Sequence, residues 1–160
     1  MNILLINHYA GSQTYGMEYR AYYLAKEWVN QGHKVTIVAA TFSHLRLKNP
    51  TVEKDYQVEM IDGIKYIWLK TPPYEGSLKR ILNMGIFVRK VNKYAKRLSR
   101  EEQPNLVIAG SCYPLDNYVA HKIAKMSNAK YTYEVRDIWP ISPKLIGGYS
   151  DHHPFIWVMQ

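Results

Sequence analysis

Short apolar runs of strand length alternate with helix-length stretches along this chain, and this alternation restricts the fold more than any other feature. It is the pattern of a parallel sheet in which a helix follows each strand. Three of the runs are almost wholly apolar, as expected for strands covered on both faces. We therefore predict an α/β fold, a Rossmann-like open parallel sheet flanked by helices, with at least five strands: residues 3–6, 35–40, 64–69, 106–109 and 131–135.

A small antiparallel hairpin is expected at one edge of this sheet. Segment 58–61, Val58-Glu59-Met60-Ile61, precedes the strand at 64–69, and the two are joined by Asp62-Gly63, a dipeptide typical of a tight turn between two strands. Helices are predicted over residues 17–31, 78–100 and 116–127, the second with Ser77 as its N-cap.

Length, cysteine content and charge narrow the class of protein. The chain has 160 residues, a size for one domain with a core of its own. A single cysteine, Cys112, excludes an internal disulfide and favours a reducing cytoplasm. No run reaches the roughly 18 apolar residues of a membrane span, and the amino terminus lacks the basic start of a signal peptide. The formal net charge of +8 favours an anionic partner.

The loops after the predicted strands carry most of the unusual residues. In an open α/β sheet, ligands bind beyond the carboxyl ends of the strands. The first of these loops has Gly11 and Gly16 at the spacing of a P-loop, but Met17 and Glu18 follow where Lys and Ser or Thr should stand. The spacing of a dinucleotide-binding glycine motif is also missing. An ATPase, a GTPase and an NAD enzyme are therefore disfavoured, while the start of the next helix could still hold a phosphate or a sugar hydroxyl.

The last predicted strand ends in Glu134-Val135-Arg136-Asp137-Ile138-Trp139, which places two acids, a base and an indole together. These residues either form a structural ion pair or line a cleft for a carbohydrate or phosphate. Alternation along a strand would point Glu134 and Arg136 in the same direction. His44 and Arg46, after the second strand, could meet an anion. Asp151-His152-His153 has no further ligand at a recognised spacing, so we predict no metal site.

Residues 78–100 contain eight basic residues and no acid. At about 100° per residue, one face gathers Ile81, Met84, Phe87 and Val88, and all basic residues but Arg80 fall on the other. Two apolar residues interrupt the basic face, which suits an anionic membrane surface as well as a solvated outer face. The candidate membrane-contacting residues are Lys79, Leu82, Ile86, Arg89, Lys90, Lys93, Lys96 and Arg97. Nucleic acid is disfavoured because repeated aromatic stacking platforms are missing.

Several segments, taken in order, resemble the amino-terminal half of GT-B fold glycosyltransferases of family 4, in particular the bacterial surface-polysaccharide branch. They cover nearly the whole chain. The matching segments are Asn7-His8-Tyr9, Gly16-Met17-Glu18-Tyr19-Arg20, Gly32-His33-Lys34-Val35, Phe42-Ser43-His44-Leu45-Arg46, Asp62-Gly63-Ile64, Ser111-Cys112-Tyr113-Pro114 and Glu134-Val135-Arg136-Asp137-Ile138-Trp139-Pro140.

The resemblance implies an enzyme that moves a sugar from a nucleotide-sugar to an acceptor, with retention at the anomeric carbon and no cofactor besides that co-substrate. It implies an acceptor-binding half here and a donor-binding carboxyl-terminal domain beyond residue 160, without which we expect no activity. Many relatives carry histidine where this chain has Arg136, so we assign charge stabilisation to Arg136 and positioning to Asp137. The expected substrate-binding residues are His8, Gly11, Tyr15, Gly16, His44, Arg46, Ser111, Tyr113, Glu134 and Trp139.

In this branch the acceptor is often a sugar on polyprenyl diphosphate at the inner face of the plasma membrane. The resemblance thus predicts a cytoplasmic, peripheral protein whose basic helix docks on anionic lipid. The alternative is a stand-alone module that binds a membrane surface or an anion without catalysis. A reading frame that continues into a second α/β domain would favour the enzyme.

Overall fold

The computed structural model describes residues 1–136, 138, 141–153 and 156, without the side chain of residue 143. It contains one six-stranded sheet in the order β3-β4-β2-β1-β5-β6. The strands are β1 (Asn2–Ile6), β2 (Lys34–Ala40), β3 (Tyr56–Ile61), β4 (Ile64–Leu69), β5 (Leu106–Ala109) and β6 (Lys130–Tyr133). Only β3 runs antiparallel, paired with β4 through the turn at Asp62 and Gly63. The α/β fold, Rossmann-like with an added hairpin, is therefore the one that the alternation of the sequence predicts.

Helices cover both faces of the sheet. They are α1 (Arg20–Asn30), α2 (Ser77–Lys93), α3 (Ala95–Glu102), α4 (Asp116–Ser127) and α5 (Ile141–Gly147). Because side chains alternate along a strand, Leu5 and Trp68 belong to the core beneath α1, while Leu4 and Leu69 belong to the core beneath α2, α3 and α4. Strand β1 lies at the switch point, since the chain continues to β2 on one side and later returns to β5 on the other.

Two predicted helices differ from the observed ones. Helix α1 begins at Arg20, three residues later than residue 17, because the backbone carbonyl of Glu18 still accepts a bond from the amide of Gly11 in the preceding loop. The predicted helix over residues 78–100 is two helices that meet at Tyr94. The Tyr94 hydroxyl, at the end of α2, donates to Asp55, whereas Ser99 of α3 hydrogen-bonds Ser127 of α4. The two helices are therefore bonded to different parts of the chain.

Ser77 is the first residue of α2 rather than its N-cap, since Gly76 occupies that position with a positive φ of 78°. Strand β6 ends two residues before residue 135. None of the helices in the described part of the chain combines the length and the apolar character needed to cross a bilayer.

Candidate functional site

The loops at the carboxyl ends of the strands contact one another in sequence around a single edge of the sheet, which we call the rim. The amide of His8, after β1, donates to the hydroxyl of Ser111, after β5, at 3.0 Å. Arg46, after β2, donates to the carbonyl of Ala10 in the first loop at 2.7 Å. The loop after β2 meets the loop after β4 through His44 and Tyr74, and Arg136, after β6, returns to the first loop through Glu18.

Beneath the rim lies a buried group of polar side chains, the inner layer, formed by His8, Tyr9, Ser111, Tyr113 and Asp116. The His8 ring stacks on Tyr9 at a centroid distance of 4.3 Å, and its Nδ1 lies 2.7 Å from the Tyr113 hydroxyl. Asp116, the first residue of α4, accepts a bond from the Ser111 amide at 3.1 Å. His8, Ser111 and Tyr113 were expected to touch substrate directly; each is almost completely buried, so they support the rim from below.

His8 is neutral at physiological pH. Burial, with the positive charge of Arg46 as the next cause, lowers the pKa of His8 to about 3. Its Nε2 has no hydrogen-bond partner among the described residues, and neither has Oδ1 of the buried Asn83 on α2. The Asn83 side chain acts to raise the pKa of His8, against the effect of burial.

The carboxyl group of Asp116 is buried. Burial raises the pKa of its carboxyl group to about 6, although bonds from Ser111 act against this shift. Its Oδ1 has no hydrogen-bond partner in the described part of the chain. The backbone amides of Asp116 and Asn117, at the start of α4, also act to lower this pKa and so partly compensate the charge.

The first loop closes on itself. The amide of Gly16 donates to the carbonyl of Ser12 at 2.8 Å, and the amide of Gly11 donates to that of Glu18 at 2.8 Å. A Cβ at Gly11 would lie 1.9 Å from the carbonyl oxygen of Gly16, which explains why only glycine fits there. Gly11 and Gly16 were expected to bind substrate, but the amides of both are already bonded within the loop and are not free to hold a ligand.

Two further expected site residues are structural. Tyr15 donates its hydroxyl to Glu59 at 3.0 Å and packs edge-on against Trp68, inside the core beneath α1. Arg46 is buried over the Trp68 ring, and its three guanidinium nitrogens donate to backbone carbonyls of the first two loops, including those of Ala10 and Ala40. Neither side chain is available to a substrate, because their polar atoms are already bonded inside the protein.

The groups that are at least partly exposed form a second set, the outer layer: Glu18, His44, Arg80, Glu134 and Arg136. Arg136 makes a two-point ion pair with Glu18, and Glu134 pairs with Arg20. Glu134 and Arg136 thus contact the start of α1 and the residue Glu18 that precedes it. The prediction from strand alternation does not apply to them, because β6 ends at Tyr133. Asp137 and Trp139, the other candidates at this end, lie outside the described residues.

The outer layer includes two residues that the sequence analysis did not assign to the site. Glu18 was noted for failing a P-loop pattern and as part of a segment that resembles the glycosyltransferases, but not as a site residue. Arg80 was noted as the exception on the basic helix. Arg80 lies on the stripe of α2 that also carries Asn83, Phe87 and Val91, at helical spacing, and this stripe faces the sheet. A polar Asn within an apolar stripe was the available sign that the buried face extends to Arg80.

Some basic residues of α2 and α3 form ion pairs, and others are exposed without one among the described residues. Lys90 and Lys93 both bind Asp55, and Arg97 pairs with Glu101 above the Tyr56 ring. Lys96 and Arg97 belong to α3, so the expected basic face is split between two helices. Lys79, Arg89 and Lys96 are exposed, as is Leu82, whereas Ile86 is half-buried. Ile81, predicted to be buried, is 54% exposed.

Comparison with known proteins identifies similar solved structures but no sequence family. Two structures of the carboxyl-terminal domain of a hydrogenase from Pyrococcus furiosus, residues 78–226 and 83–215, superpose with TM-scores of 0.56 and 0.58. The identities are 19% and 20%, and the matches cover 83% and 82% of this chain and 89% of each of those chains. The similarity is one of fold. The sequence matches no protein-family model and no curated protein.

The described residues contain no group of three His, Cys, Asp or Glu side chains arranged to hold a metal ion. The rim carries charged and hydrogen-bonding side chains. Cationic and anionic side chains of the outer layer stand above a buried, hydrogen-bonded inner layer, which is an arrangement suited to a polar, phosphate-bearing ligand.

Proposed function

We propose that this chain is the acceptor-binding, amino-terminal part of a retaining GT-B glycosyltransferase of family 4. The enzyme would transfer a sugar from a nucleotide-sugar to a glycan acceptor on polyprenyl diphosphate, in the synthesis of a surface polysaccharide. The meeting of the motif-bearing loops at the rim supports this proposal most. Segments 7–9, 42–46 and 111–114 are distant in sequence, yet Arg46 donates to the carbonyl of His8 and the amide of His8 donates to Ser111. Glu18 of segment 16–20 pairs in turn with Arg136 of the last motif.

In the proposed reaction, the acceptor hydroxyl oxygen forms a bond to the anomeric carbon of the donor sugar. The bond from that carbon to the β-phosphate oxygen breaks, and the hydroxyl proton passes to the leaving diphosphate. Negative charge grows on this leaving group, so a nearby guanidinium lowers the energy of the transition state. We assign that role to Arg136, and to Asp137 the positioning of the acceptor.

His8 has a supporting part in this proposal. With a pKa of about 3, its buried ring carries no charge near neutral pH and cannot donate a proton to the leaving group. Its bonds to the Ser111 and Tyr113 side chains instead fix the loop after β5 against the loop after β1.

The proposed acceptor would be lipid-linked, and the first turns of α2 favour contact with a membrane surface. Leu78, Ile81 and Leu82 are 84%, 54% and 63% exposed. Exposed Lys79 and Arg89 flank them. Apolar side chains beside unpaired lysine and arginine are typical of helices that lie on anionic bilayers, where each basic residue contributes about 1 kcal/mol. We therefore propose a peripheral location at the cytoplasmic face of the plasma membrane.

Sugar transfer is tested with the whole protein that carries these residues, using a radiolabelled nucleotide-sugar mixture and lipid-linked acceptors. Arg136→Gln should lower kcat about 10²-fold, the typical loss when one charge-stabilising group is removed. Arg100→Gln, at a residue whose side chain is 82% exposed, is the matched control and should leave kcat unchanged. No transfer by the wild type from any nucleotide-sugar in the mixture would contradict the proposal.

Membrane contact is tested by flotation with vesicles that contain a quarter of anionic lipid. The double variant Leu78→Ser/Leu82→Ser and the charge variant Lys79→Glu/Arg89→Glu should each bind several-fold more weakly than the wild type. Binding equal to the wild type would contradict the membrane assignment. Membrane binding without sugar transfer would favour the alternative, a stand-alone membrane-surface module.

A further inference from the structure

Arg80 is the basic residue of α2 that turns away from the outer face of the helix. It lies three residues before the buried Asn83 and seven before Phe87, so it continues the stripe that faces the sheet. Its Nε donates to the Tyr9 hydroxyl at 3.3 Å, and its guanidinium lies 5.5 Å above the Tyr9 ring. The side chain therefore reaches the rim over the loop that follows β1.

The guanidinium of Arg80 has no acidic partner in the described part of the chain. Arg136 at the same rim forms an ion pair with Glu18, and Lys90 on the same helix forms one with Asp55. Arg80 is half-buried, and its hydrogen bond within the described residues goes to a neutral phenol. A partly desolvated cation held against neutral aromatic groups is electrostatically ready to accept an anion.

His44 adds a second group beside Arg80. Its ring packs edge-on against Tyr9 at 5.9 Å, and its Nδ1 lies 2.6 Å from the Tyr74 hydroxyl. With Nδ1 satisfied by Tyr74, its exposed ring retains Nε2, which makes no hydrogen bond within the described residues. Partial burial lowers the pKa of His44, and the charge of Arg80 lowers it further, so the two groups are electrostatic neighbours.

We propose that Arg80 and His44, supported by Tyr9 and Tyr74, form a binding site for the phosphate oxygens of a phosphate ester. A guanidinium supplies two parallel donors at the spacing of two phosphate oxygens, and Nε2 of His44 supplies another from a different direction. Arg80 and His44 both contact Tyr9, and no carboxylate among the described residues bonds either of them. Strong donors without a carboxylate beside them suit phosphate better than the single charge of a carboxylic acid. The inference rests on the proposed function in one respect: the phosphate would be that of the lipid-linked acceptor.

The test uses inorganic pyrophosphate as the probe, measured by calorimetry at pH 6.5 on the whole 160-residue chain. Arg80→Gln should weaken binding at least tenfold, while Arg80→Lys should lose less because it keeps the charge. Arg100→Gln is the matched control, since the Arg100 side chain is 82% exposed and the change in net charge is identical. Equal losses in Arg80→Gln and Arg100→Gln, or no binding by the wild type, would overturn the site. So would equal affinity for succinate, which would show that the site selects charge alone.

The imidazole of His44 gives an independent readout by NMR. Tyr9, Tyr74 and Arg80 are the titratable groups of the described elements that face this ring, and His8 lies behind Tyr9. Pyrophosphate should raise the pKa of His44, and so should Arg80→Gln without ligand, because each removes the effect of an uncompensated cation. An unchanged pKa of His44 in saturated protein would contradict its role in the site.

Two arms distinguish the source of the phosphate and separate this site from sugar transfer. If the natural ligand is a lipid, neutral nanodiscs that contain a polyprenyl phosphate should bind the wild type more tightly than free pyrophosphate does. If free pyrophosphate binds more tightly, the natural ligand is a soluble phosphate ester. Pyrophosphate binding that depends on Arg80, in a protein without transferase activity, would uphold the site and overturn the proposed function. Transfer in the absence of such binding would do the reverse.

Discussion

The carboxylate of Glu18 meets the guanidinium of Arg136 in a two-point ion pair, with both N–O distances at 2.6 Å. The two residues are 118 positions apart in the sequence, and their pairing joins the loop after β1 to the end of β6. Their side chains are only 15% and 21% exposed. The rim is therefore held closed at this point by two charged groups that both belong to the outer layer.

We expect this ion pair to contribute measurably to stability. Glu18→Gln leaves Arg136 partly buried without its counter-ion, and we expect the free energy of unfolding to fall by about 1–2 kcal/mol. A double-mutant cycle with Arg136→Met, followed by urea denaturation, isolates the coupling between the two side chains. The same cycle at Arg97 and Glu101, an exposed pair on α3, should give less than about 0.5 kcal/mol. Equal coupling energies in the two cycles would contradict the expectation.

Arg46→Lys should be strongly destabilising although it conserves charge. The ammonium group of lysine cannot reproduce the fork that bonds the carbonyls of Ala10 and Ala40 together, so buried acceptors lose their donors. We expect a loss of about 2–4 kcal/mol in the free energy of unfolding, measured by urea denaturation. Lys48→Met, at an exposed position two residues further on, is the control and should stay within about 0.5 kcal/mol.

Asp116 should make the protein less stable as the pH rises from 4 to 6. Its pKa of about 6 in the folded state exceeds the value of about 3.9 in an unfolded chain, so the folded protein binds more protons in this window. At pH 7 the ionised carboxylate therefore lowers the free energy of unfolding by about 2–3 kcal/mol. Asp116→Asn should remove this dependence, and the difference in unfolding free energy between variant and wild type should grow between pH 4 and 7. A constant difference across that range would show that Asp116 ionises normally.

His8 should make the protein more stable as the pH rises, over a pH range that overlaps that of Asp116. Its folded-state pKa of about 3 lies below the unfolded value of about 6.5, so the unfolded chain binds the extra proton. Stability due to the neutral ring is complete above pH 6.5 and is lost as the pH falls toward 3, at up to about 1.4 kcal/mol per pH unit. His8→Gln should abolish this acid dependence in chemical denaturation. An NMR titration that shows His8 ionising near pH 6 in the folded wild type would contradict the prediction.

The pH dependences of stability due to Asp116 and His8 partly cancel in the wild type between pH 4 and 6. Stability that looks insensitive to pH there would conceal two opposed contributions, from an acid and a base that are both linked to Ser111. Only the single variants, compared with each other, separate them.

The alternation of strand-length and helix-length segments was enough to predict the α/β fold and the edge of the sheet at which the loops meet. It could not predict how deeply each of these residues is buried. His8, Ser111 and Tyr113 were placed at the correct edge, but a linear pattern does not reveal that they lie beneath it, since a buried polar side chain is stable only when its partners arrive from distant segments.

The orientation of α2 shows the same limit. Hydrophobic periodicity assigned Ile81 to the buried face, whereas the polar Asn83 occupies it, bonded to the carbonyl of Pro72 at 2.6 Å. A rotation of the helix by less than a third of a turn exchanges these assignments, and it also determines whether Arg80 faces solvent or the rim. The break at Tyr94 was equally hidden, because it results from Asp55 and Ser127 rather than from glycine or proline in the helix.

The separation of the inner from the outer layer has a consequence for how such a domain can diversify. Residues that hold the loops together, such as His8 and Arg46, are distinct from those that a ligand can reach, such as His44, Arg80 and Arg136. Exchanging an accessible residue changes what is recognised while the scaffold keeps its shape, whereas exchanging a concealed one disturbs every loop at once. Descendants of this domain could therefore acquire new specificities through few substitutions, each tolerated on its own.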